Sequence, residues 1–541
     1  MPQKTWKILS TKTSSKNKNW LTLLLAKNRG LKTKEELKSF LNPTLEQILK
    51  VSIGESKKAL KRIEMAITNK EKIIVYSDYD ADGISATAIM WETLYDLGAD
   101  VMPYVPHRIK EGYGLSNSAI TKLVEEGAKL IITVDHGVSA VDQIEHANSL
   151  GIDVIITDHH VLPKVLPKSY AMVHTTTLCG AGVSWRLAWD IVTKLKPSYR
   201  EQLENKLELA AIATIADLVP LTGANRAIVK IGLEKLSSTK RYGINALLKT
   251  TTTSSIGTYE IGHILAPRIN AMGRIEHGLD ALRLICAKSK SQADKLASLL
   301  SKTNSKRQDL TTRALESAKS LVSAEQSIGV IAHHSWHEGV IGLVASRLVE
   351  TYNKPFIVIS QGEVFSKGSA RSVPGFNIVE AIRASSQYLV AAGGHPMAAG
   401  FTIETRHIQT FSLDINQYAK LNLTEEMLEP IIRVETELEE EDISGETLEQ
   451  IKKFEPFGVG NMEPVFLTRK MLLEDVRTVG KTSNHLKLQI GNHSAIGFNM
   501  GDLRTDLRPG QQVDLLYTIS EDKFNGHGKI QLKIKDLKLV A

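Results

Sequence analysis

Cysteine is nearly absent: Cys179 and Cys286 are the only two in 541 residues, and no C-x-x-C occurs. A disulfide framework is therefore excluded, a thiolate zinc site is disfavoured, and the count suits a reducing cytoplasm. No apolar run approaches the ~20 residues needed to cross a bilayer, so no membrane partner is expected. One segment imitates a targeting signal: Lys16-Asn17-Lys18-Asn19 precedes Trp20-Leu21-Thr22-Leu23-Leu24-Leu25-Ala26. That run is at the short limit for a signal core, Lys27 follows at once, and no small-x-small cleavage site appears, which favours an amphipathic helix. Repeats and low-complexity tracts are missing too. Charge of one sign does not dominate: the formal net charge is +7, which permits nucleic-acid binding without demonstrating it. Hydrophobic residues at 42% and charged residues at 23% are ordinary for a globular protein, and the length calls for three or four domains.

What is present is a set of short apolar runs that end in acid. Ile73-Ile74-Val75 precedes Asp78-Tyr79-Asp80-Ala81-Asp82-Gly83, Leu130-Ile131-Ile132-Thr133-Val134 precedes Asp135, and Val154-Ile155-Ile156 precedes Thr157-Asp158-His159-His160. Runs of this kind are strands buried on both faces of a parallel sheet, whose carboxyl ends gather the functional groups. Asp80, Asp82, Asp135, Asp158, His159 and His160 should therefore meet at one edge. Carboxylates so crowded repel, and a pair of divalent cations neutralises them. Neighbouring residues at a strand end point to different sides. One of His159 and His160 can thus ligate metal while the other faces substrate, with Asp158 fixing an imidazole tautomer from behind. A ligand set of Asp and His without Cys suits Mn2+ or Mg2+, with zinc as the alternative. Two such ions about 3.5–4 Å apart activate water and stabilise both oxygens of a phosphodiester displacement. A calcium loop would need an acid at the twelfth position from Asp78, where Ile89 stands. His333-His334 lacks a preceding Asp and is given no metal role.

From 71 to 160 strands alternate with helices, Ser116 capping one that stops at Gly127 and Ser139 one that stops at Gly151. An apolar helical stretch over 203–219 ends at Asp217, just before Pro220. Residues 279–325 contain neither Gly nor Pro and form one or two long helices that bridge domains. A second α/β region, 328–401, carries phosphate-binding chemistry instead of acids. Ser369-Ala370-Arg371-Ser372 joins a guanidinium to hydroxyls, and Ala392-Gly393-Gly394-His395 either admits a ligand to the backbone or is a plain turn. Ala266 to Arg274 sets Arg268, Asn270 and Arg274 around a glycine, as phosphate ligands or as a solvated loop. Beyond Glu429, short alternating strands at 486–490 and 530–534, with a turn at Asn525-Gly526, give a small all-β domain of OB type.

Together these residues resemble the DHH phosphoesterase superfamily and, within it, the RecJ single-strand-specific exonucleases. The likeness spans nearly the whole chain, from Asp78 to Gly83 through Val134-Asp135-His136-Gly137, Thr157 to His160, Ile215 to Pro220 and Ala266 to Arg274. It continues through Trp336 to Gly342, Gly368 to Gly375, Gly393 to Gly400 and Phe457 to Pro464. It implies an α/β fold with a bilobed core: a helical segment over 1–50, a DHH catalytic domain over 51–275, a connecting long helix over 276–326, a DHH-associated domain over 327–428, and an OB-fold over 429–541. By position, Asp80, Asp82, Asp135, His159 and Asp217 would ligate two Mn2+ or Mg2+ ions, with Asp135 bridging. Asp78 and Asp158 would support them, and His160 would contact the scissile phosphate. Arg108, Ser369 and Arg371 would hold the 5′ end; Arg274 and His395 would touch backbone phosphates, with Arg268, Asn270 and Gly394 beside the strand. Tyr76, His136 and His174 depart from the family pattern, and Tyr76 is expected to hold one ion more weakly.

The implied activity is 5′→3′ hydrolysis of single-stranded DNA to 5′-mononucleotides in repair and recombination. The enzyme would be a cytoplasmic monomer supplied by a single-strand-binding protein and a helicase. The alternatives are a DHH phosphodiesterase acting on short oligoribonucleotides or cyclic dinucleotides, and an inactive single-strand-binding scaffold.

Overall fold

The computed structural model describes residues 4–12, 18–108, 111–112, 114–251, 256–522 and 529–540. The three acid-ending runs are the strands Lys72–Ser77, Ala128–Val134 and Asp153–Asp158, joined by Val101–Tyr104 and Ala171–His174 in a five-stranded sheet. Every pairing in it is parallel. Both faces are buried, as continuous apolar runs require. Ile73, Val75, Leu130, Ile132 and Ile155 enter one core with the helices Ser56–Thr68, Ala81–Asp96, Gly180–Leu195 and Leu207–Ala216. Ile74, Tyr76, Ile131, Val154 and Ile156 enter the other, under Asn117–Glu125 and Val141–Ser149. Ser116 caps the first of these two helices, its hydroxyl accepting from Ala119 N at 3.3 Å. Ser139 does not cap the second: the N-cap is Ala140, with no side-chain bond.

The stretch 266–274 is the helix Ala266–Ile275, entered through a π-helical turn at Ile261–Leu265, so the solvated-loop alternative is ruled out. The Gly- and Pro-free stretch becomes Leu279–Ile285 and a 30-residue helix, Lys290–Lys319. The long helix bridges two cores. Ala293, Ala297 and Leu300 pack into the first lobe, while Ala314 and Ala318 pack with Trp336, Val344 and Phe356 of the second.

The second lobe is a five-stranded sheet in the order Leu389–His395, Ala398–Glu404, Phe365–Arg371, Phe356–Ser360, Gly329–His333, antiparallel except for the last pair. Gly393 and Gly394 lie inside its edge strand, opposite Gly400 and Ala399, and form no turn. The C-terminal strands Phe466–Val479, His485–Ile490, His493–Gly497, Ile530–Leu539 and Gln512–Glu521 close on themselves, the first pairing with the last, as an OB-type barrel. The turn expected at Asn525-Gly526 lies outside the described residues.

The N-terminal segment is not purely helical: Thr5–Ile8 is a strand, paired in parallel with Ile431–Val434. Lys16 and Asn17 lie outside the described residues, but the apolar run after them is the helix Trp20–Asn28. Leu21, Leu24 and Leu25 are buried beside Leu448, Ile451 and Phe454 in the barrel's core, which explains their hydrophobicity without a signal. Among the described residues no helix is long and apolar enough to cross a membrane.

Candidate metal centre

Strand register gathers the acids. Ser77 sits opposite Val134, and Val134 opposite Thr157, so Asp78, Asp135 and Asp158 leave the sheet at one edge. Asp80 is the N-cap of Ala81–Asp96, its Oδ1 accepting from Asp82 N at 2.9 Å and Gly83 N at 3.0 Å. Asp82 reaches the start of Gly180–Leu195, where its oxygens accept from Gly180 N at 2.7 Å and Ala181 N at 2.6 Å. Helix N-termini favour anions, so two of the acids are held by backbone dipoles. Asp135 takes a left-handed φ of 68° and donates its N–H to Thr157 O at 2.9 Å. Asp217 ends the helix Leu207–Ala216.

His159 Nε2 stands 3.1 Å from Asp135 Oδ1 and 3.7 Å from both Asp82 Oδ2 and Asp217 Oδ2. Candidate ligand atoms fall into three overlapping groups: Asp82, His159 and Asp217; Asp135, His159 and His160; and Asp78, Asp80 and Asp135. Asp135 belongs to two of them, and Asp78 falls within one.

These residues fit divalent cations. Asp135 Oδ1 is buried and accepts no hydrogen bond among the described residues. Burial, then the charge of Asp80, pushes Asp82 up to about 7. Burial, then Asp82, pushes Asp217 up to about 8. Asp78 and Asp135 are likewise raised, by burial first and their acidic neighbours next. Left to themselves the acids would take up protons; cations remove that need. Burial, then His160, lowers His159 to about 4, which leaves its imidazole neutral and able to ligate.

His160 is set apart. Its Nδ1 meets Asp158 Oδ1 at 2.7 Å, while Asp158 also accepts from His159 N, His160 N and Val138 N. Burial opposes the charged ring, but the hydrogen bond and charge of Asp158 prevail and raise His160 to about 9. The departures lie behind this pair. His174 Nε2 meets His160 O at 2.7 Å, and His136 Nε2 meets Tyr76 O at 3.1 Å. Tyr76 packs its ring in the second core against Tyr104 and His136.

The other lobe faces this acidic edge. His395 stacks on His160 with ring centroids 5.7 Å apart, and Arg274 Nη1 donates to Gly339 O at 3.2 Å. Arg371 Nη1 donates to Ser369 Oγ at 3.2 Å, and Arg108 lies over the Tyr79 ring at 5.0 Å. Burial, then Arg108 and Arg371, lowers Arg274 to about 10, and Arg371 is lowered by burial and then Arg108. The three guanidiniums feel one another's charge, a surplus that an anion would relieve.

Three expected substrate residues also have partners within the protein. Asn270 Oδ1 accepts from Ala81 N at 2.7 Å, securing the helix start beside Asp80. Arg268 turns towards the long helix, donating to Ile264 O at 2.8 Å and Ser301 Oγ at 3.4 Å. Gly394 is required by packing, since a Cβ there would lie 2.4 Å from Ala398 O. One cation went unread. Arg307, in the middle of the long helix, has a buried Nε with no hydrogen bond among the described residues, and its charge reaches Arg274. One of two arginines in a lysine-rich helix, it carries no sequence signal.

Comparison with known proteins identifies the domains that carry this site. Residues 72–219 match the DHH family, N-terminal domain, residues 321–421 the DHHA1 domain, and residues 434–536 the RecJ OB domain. The chain is 37% identical to the single-stranded-DNA-specific exonuclease RecJ of Bacillus subtilis, over 95% of this chain and 67% of that protein. It is 32% identical to RecJ of Haemophilus influenzae, covering 92% of each. Its fold is similar to the crystal structure of RecJ in complex with Mn2+ from Thermus thermophilus, with a TM-score of 0.84 and 28% identity, over 99% of this chain and 79% of that one. The Mg2+ complex from the same organism matches with a TM-score of 0.78.

Proposed function

The chain belongs to the RecJ family of single-stranded-DNA-specific exonucleases, and from that premise we infer that it hydrolyses single-stranded DNA from the 5′ end to 5′-mononucleotides, in DNA repair and recombination. Its cofactor is Mn2+ or Mg2+, as a pair of ions. Asp80, Asp82, Asp135, His159 and Asp217 would hold the ions, with Asp135 shared and Asp78 within reach. When bound, the pair supplies activation of water and neutralisation of charge on the phosphodiester. The observation that carries this is the buried Asp135 Oδ1, which no hydrogen bond among the described residues satisfies, facing a neutral His159.

The remaining residues bind and orient. His160 is kept cationic by Asp158, which takes its Nδ1, so Nε2 is the atom that would donate to a non-bridging oxygen of the scissile phosphate. Arg371, Ser369 and Arg108 would cap a terminal 5′ phosphate through charge-assisted hydrogen bonds, and this would register the strand so that one nucleotide leaves at a time. His395 approaches His160 from the opposite lobe with ring centroids 5.7 Å apart, which favours a single strand over a duplex at the acidic edge. A helicase would then open duplex first, and a single-strand-binding protein would keep the strand available. The barrel carries a polar groove in which Arg477, Lys487 and Lys529 stand beside Asp475 and Asp522, and its cations would meet the strand's phosphates. The two free cysteines suit a reducing cytoplasm.

The test gives the purified protein, with Mn2+, a long single strand and a dinucleotide in competition. The strand should be consumed. Turnover of the dinucleotide alone would instead favour a small-substrate DHH phosphodiesterase, and no hydrolysis of either an inactive scaffold.

A further inference from the structure

Among the proposed ligands Asp217 is the least anchored. Its side chain is 34% exposed, and its carboxylate accepts no hydrogen bond among the described residues, whereas Asp82 is fixed by two helix N–H groups. The position of Asp217 depends instead on the turn that follows it. Leu218 adopts a left-handed φ of 58°, and the chain then runs into Val219-Pro220-Leu221.

That turn is clasped by a loop from the far end of the sequence. Leu221 N donates to Val459 O at 2.7 Å. Gly460, at a φ of 74°, sits so close that a Cβ would lie 3.0 Å from Pro220 Cβ, and a Cβ on Gly458 would lie 2.7 Å from Leu221 Cδ1. The loop is itself tied down. Arg226, wholly buried, donates to Glu455 O at 2.8 Å and Pro456 O at 3.2 Å, and Asn461 Nδ2 donates to Phe454 O at 2.8 Å and Pro456 O at 2.9 Å. A fully buried guanidinium spent on backbone carbonyls of a distant segment makes a rigid joint, because those carbonyls would otherwise lack partners.

We propose that the loop 454–461, latched by Arg226, positions Asp217 and so sets the affinity of the ion that Asp82, His159 and Asp217 would share. This rests on the two-metal reading given above. Arg226, Gly458 and Gly460 are positioning residues, whose neighbours are Phe40, Pro220, Leu221, Glu455 and Pro456 rather than the proposed ligands. The C-terminal lobe then contributes to the metal centre as well as to DNA binding. Groups that orient a metal's ligands commonly change its affinity by one or two orders of magnitude.

The experiment measures Mn2+ binding to full-length protein without DNA, following free Mn2+ by electron paramagnetic resonance, with thermal melting to establish that each variant is folded. Wild-type protein should bind two ions. Arg226→Met and Gly460→Val should weaken one of them about tenfold and leave the other unchanged. Arg226→Lys, which keeps some of the donors, should fall between. At saturating Mn2+ the turnover of a short oligonucleotide should return close to the wild-type value, because Asp217 is still present. If Gly460→Val does not fold, Gly460→Ala should show a smaller shift of the same sign. Unchanged Mn2+ isotherms in folded variants would overturn the proposal, as would equal weakening of both ions. Failure of the wild-type protein to bind two ions would instead overturn the two-metal reading itself.

Discussion

Asp135 holds a left-handed backbone conformation that is costly for a residue with a side chain, and it holds it beside other acids. Function explains both costs, and the two effects of Asp135→Ala should have opposite signs. Mn2+-dependent turnover should fall below detection, since the group shared by two ligand sets is gone. In EDTA the variant should melt higher than wild type, because one buried repelling carboxylate has been removed. Paired rate and melting measurements check this, and a variant that retains turnover would remove Asp135 from the site. Arg371 offers a second check at this scale. Strands with a 5′ phosphate should be degraded faster than those with a 5′ hydroxyl. Arg371→Ala should narrow the gap, and Arg371→Lys should restore it only in part, because the ammonium lacks the planar fork. Initial rates on matched oligonucleotides decide it. The acids and histidines were legible in the sequence because each closes an apolar run. The capping role of Asn270 was not, because its partner Ala81 N lies far away in the chain.

At the scale of elements, the helix Gly180–Leu195 performs two tasks at its first residue. Its N-terminus binds Asp82, and it passes so near Asp135 that a Cβ on Gly180 would lie 2.4 Å from Asp135 Oδ1. Gly180→Ala should therefore push Asp135 aside, lowering Mn2+-dependent turnover on the order of a hundredfold and stability by about 1–3 kcal/mol, as overpacking does. A melting curve and a rate together test this; unchanged turnover would mean that Asp135 can move without consequence. The parallel strands could be anticipated from their continuous apolar runs, the long helix from its lack of Gly and Pro, and the barrel from its short alternating strands. Elements whose partners are remote could not. Thr5–Ile8 is four residues long and becomes a strand only against Ile431–Val434. The segment around Arg268 looks like a loop for its polar residues and glycine, yet packing on the long helix makes it helical.

Across the whole molecule, the two ends of the chain fold together. Leu21, Leu24 and Leu25 complete the barrel's core, so removing residues 429–541 alone would strand an apolar helix and should cause aggregation. Removing residues 1–30 as well should restore solubility. That doubly shortened protein should bind long strands more weakly, each lost base stack on the barrel being worth about 1–3 kcal/mol. Sedimentation and binding titrations compare the two forms; a soluble single truncation with unchanged affinity would take the barrel out of the DNA path. The central claim is that a metal centre at a sheet edge removes nucleotides one by one from the 5′ end of a single strand. It is tested most directly by the first product released from a long single strand bearing a radioactive 5′ phosphate, in the presence of Mn2+. The account predicts that the label appears at once as 5′-mononucleotide while the strand is still long, and that the same strand in a blunt duplex keeps its label. Label retained in progressively shorter strands, or released in internal fragments, would contradict it.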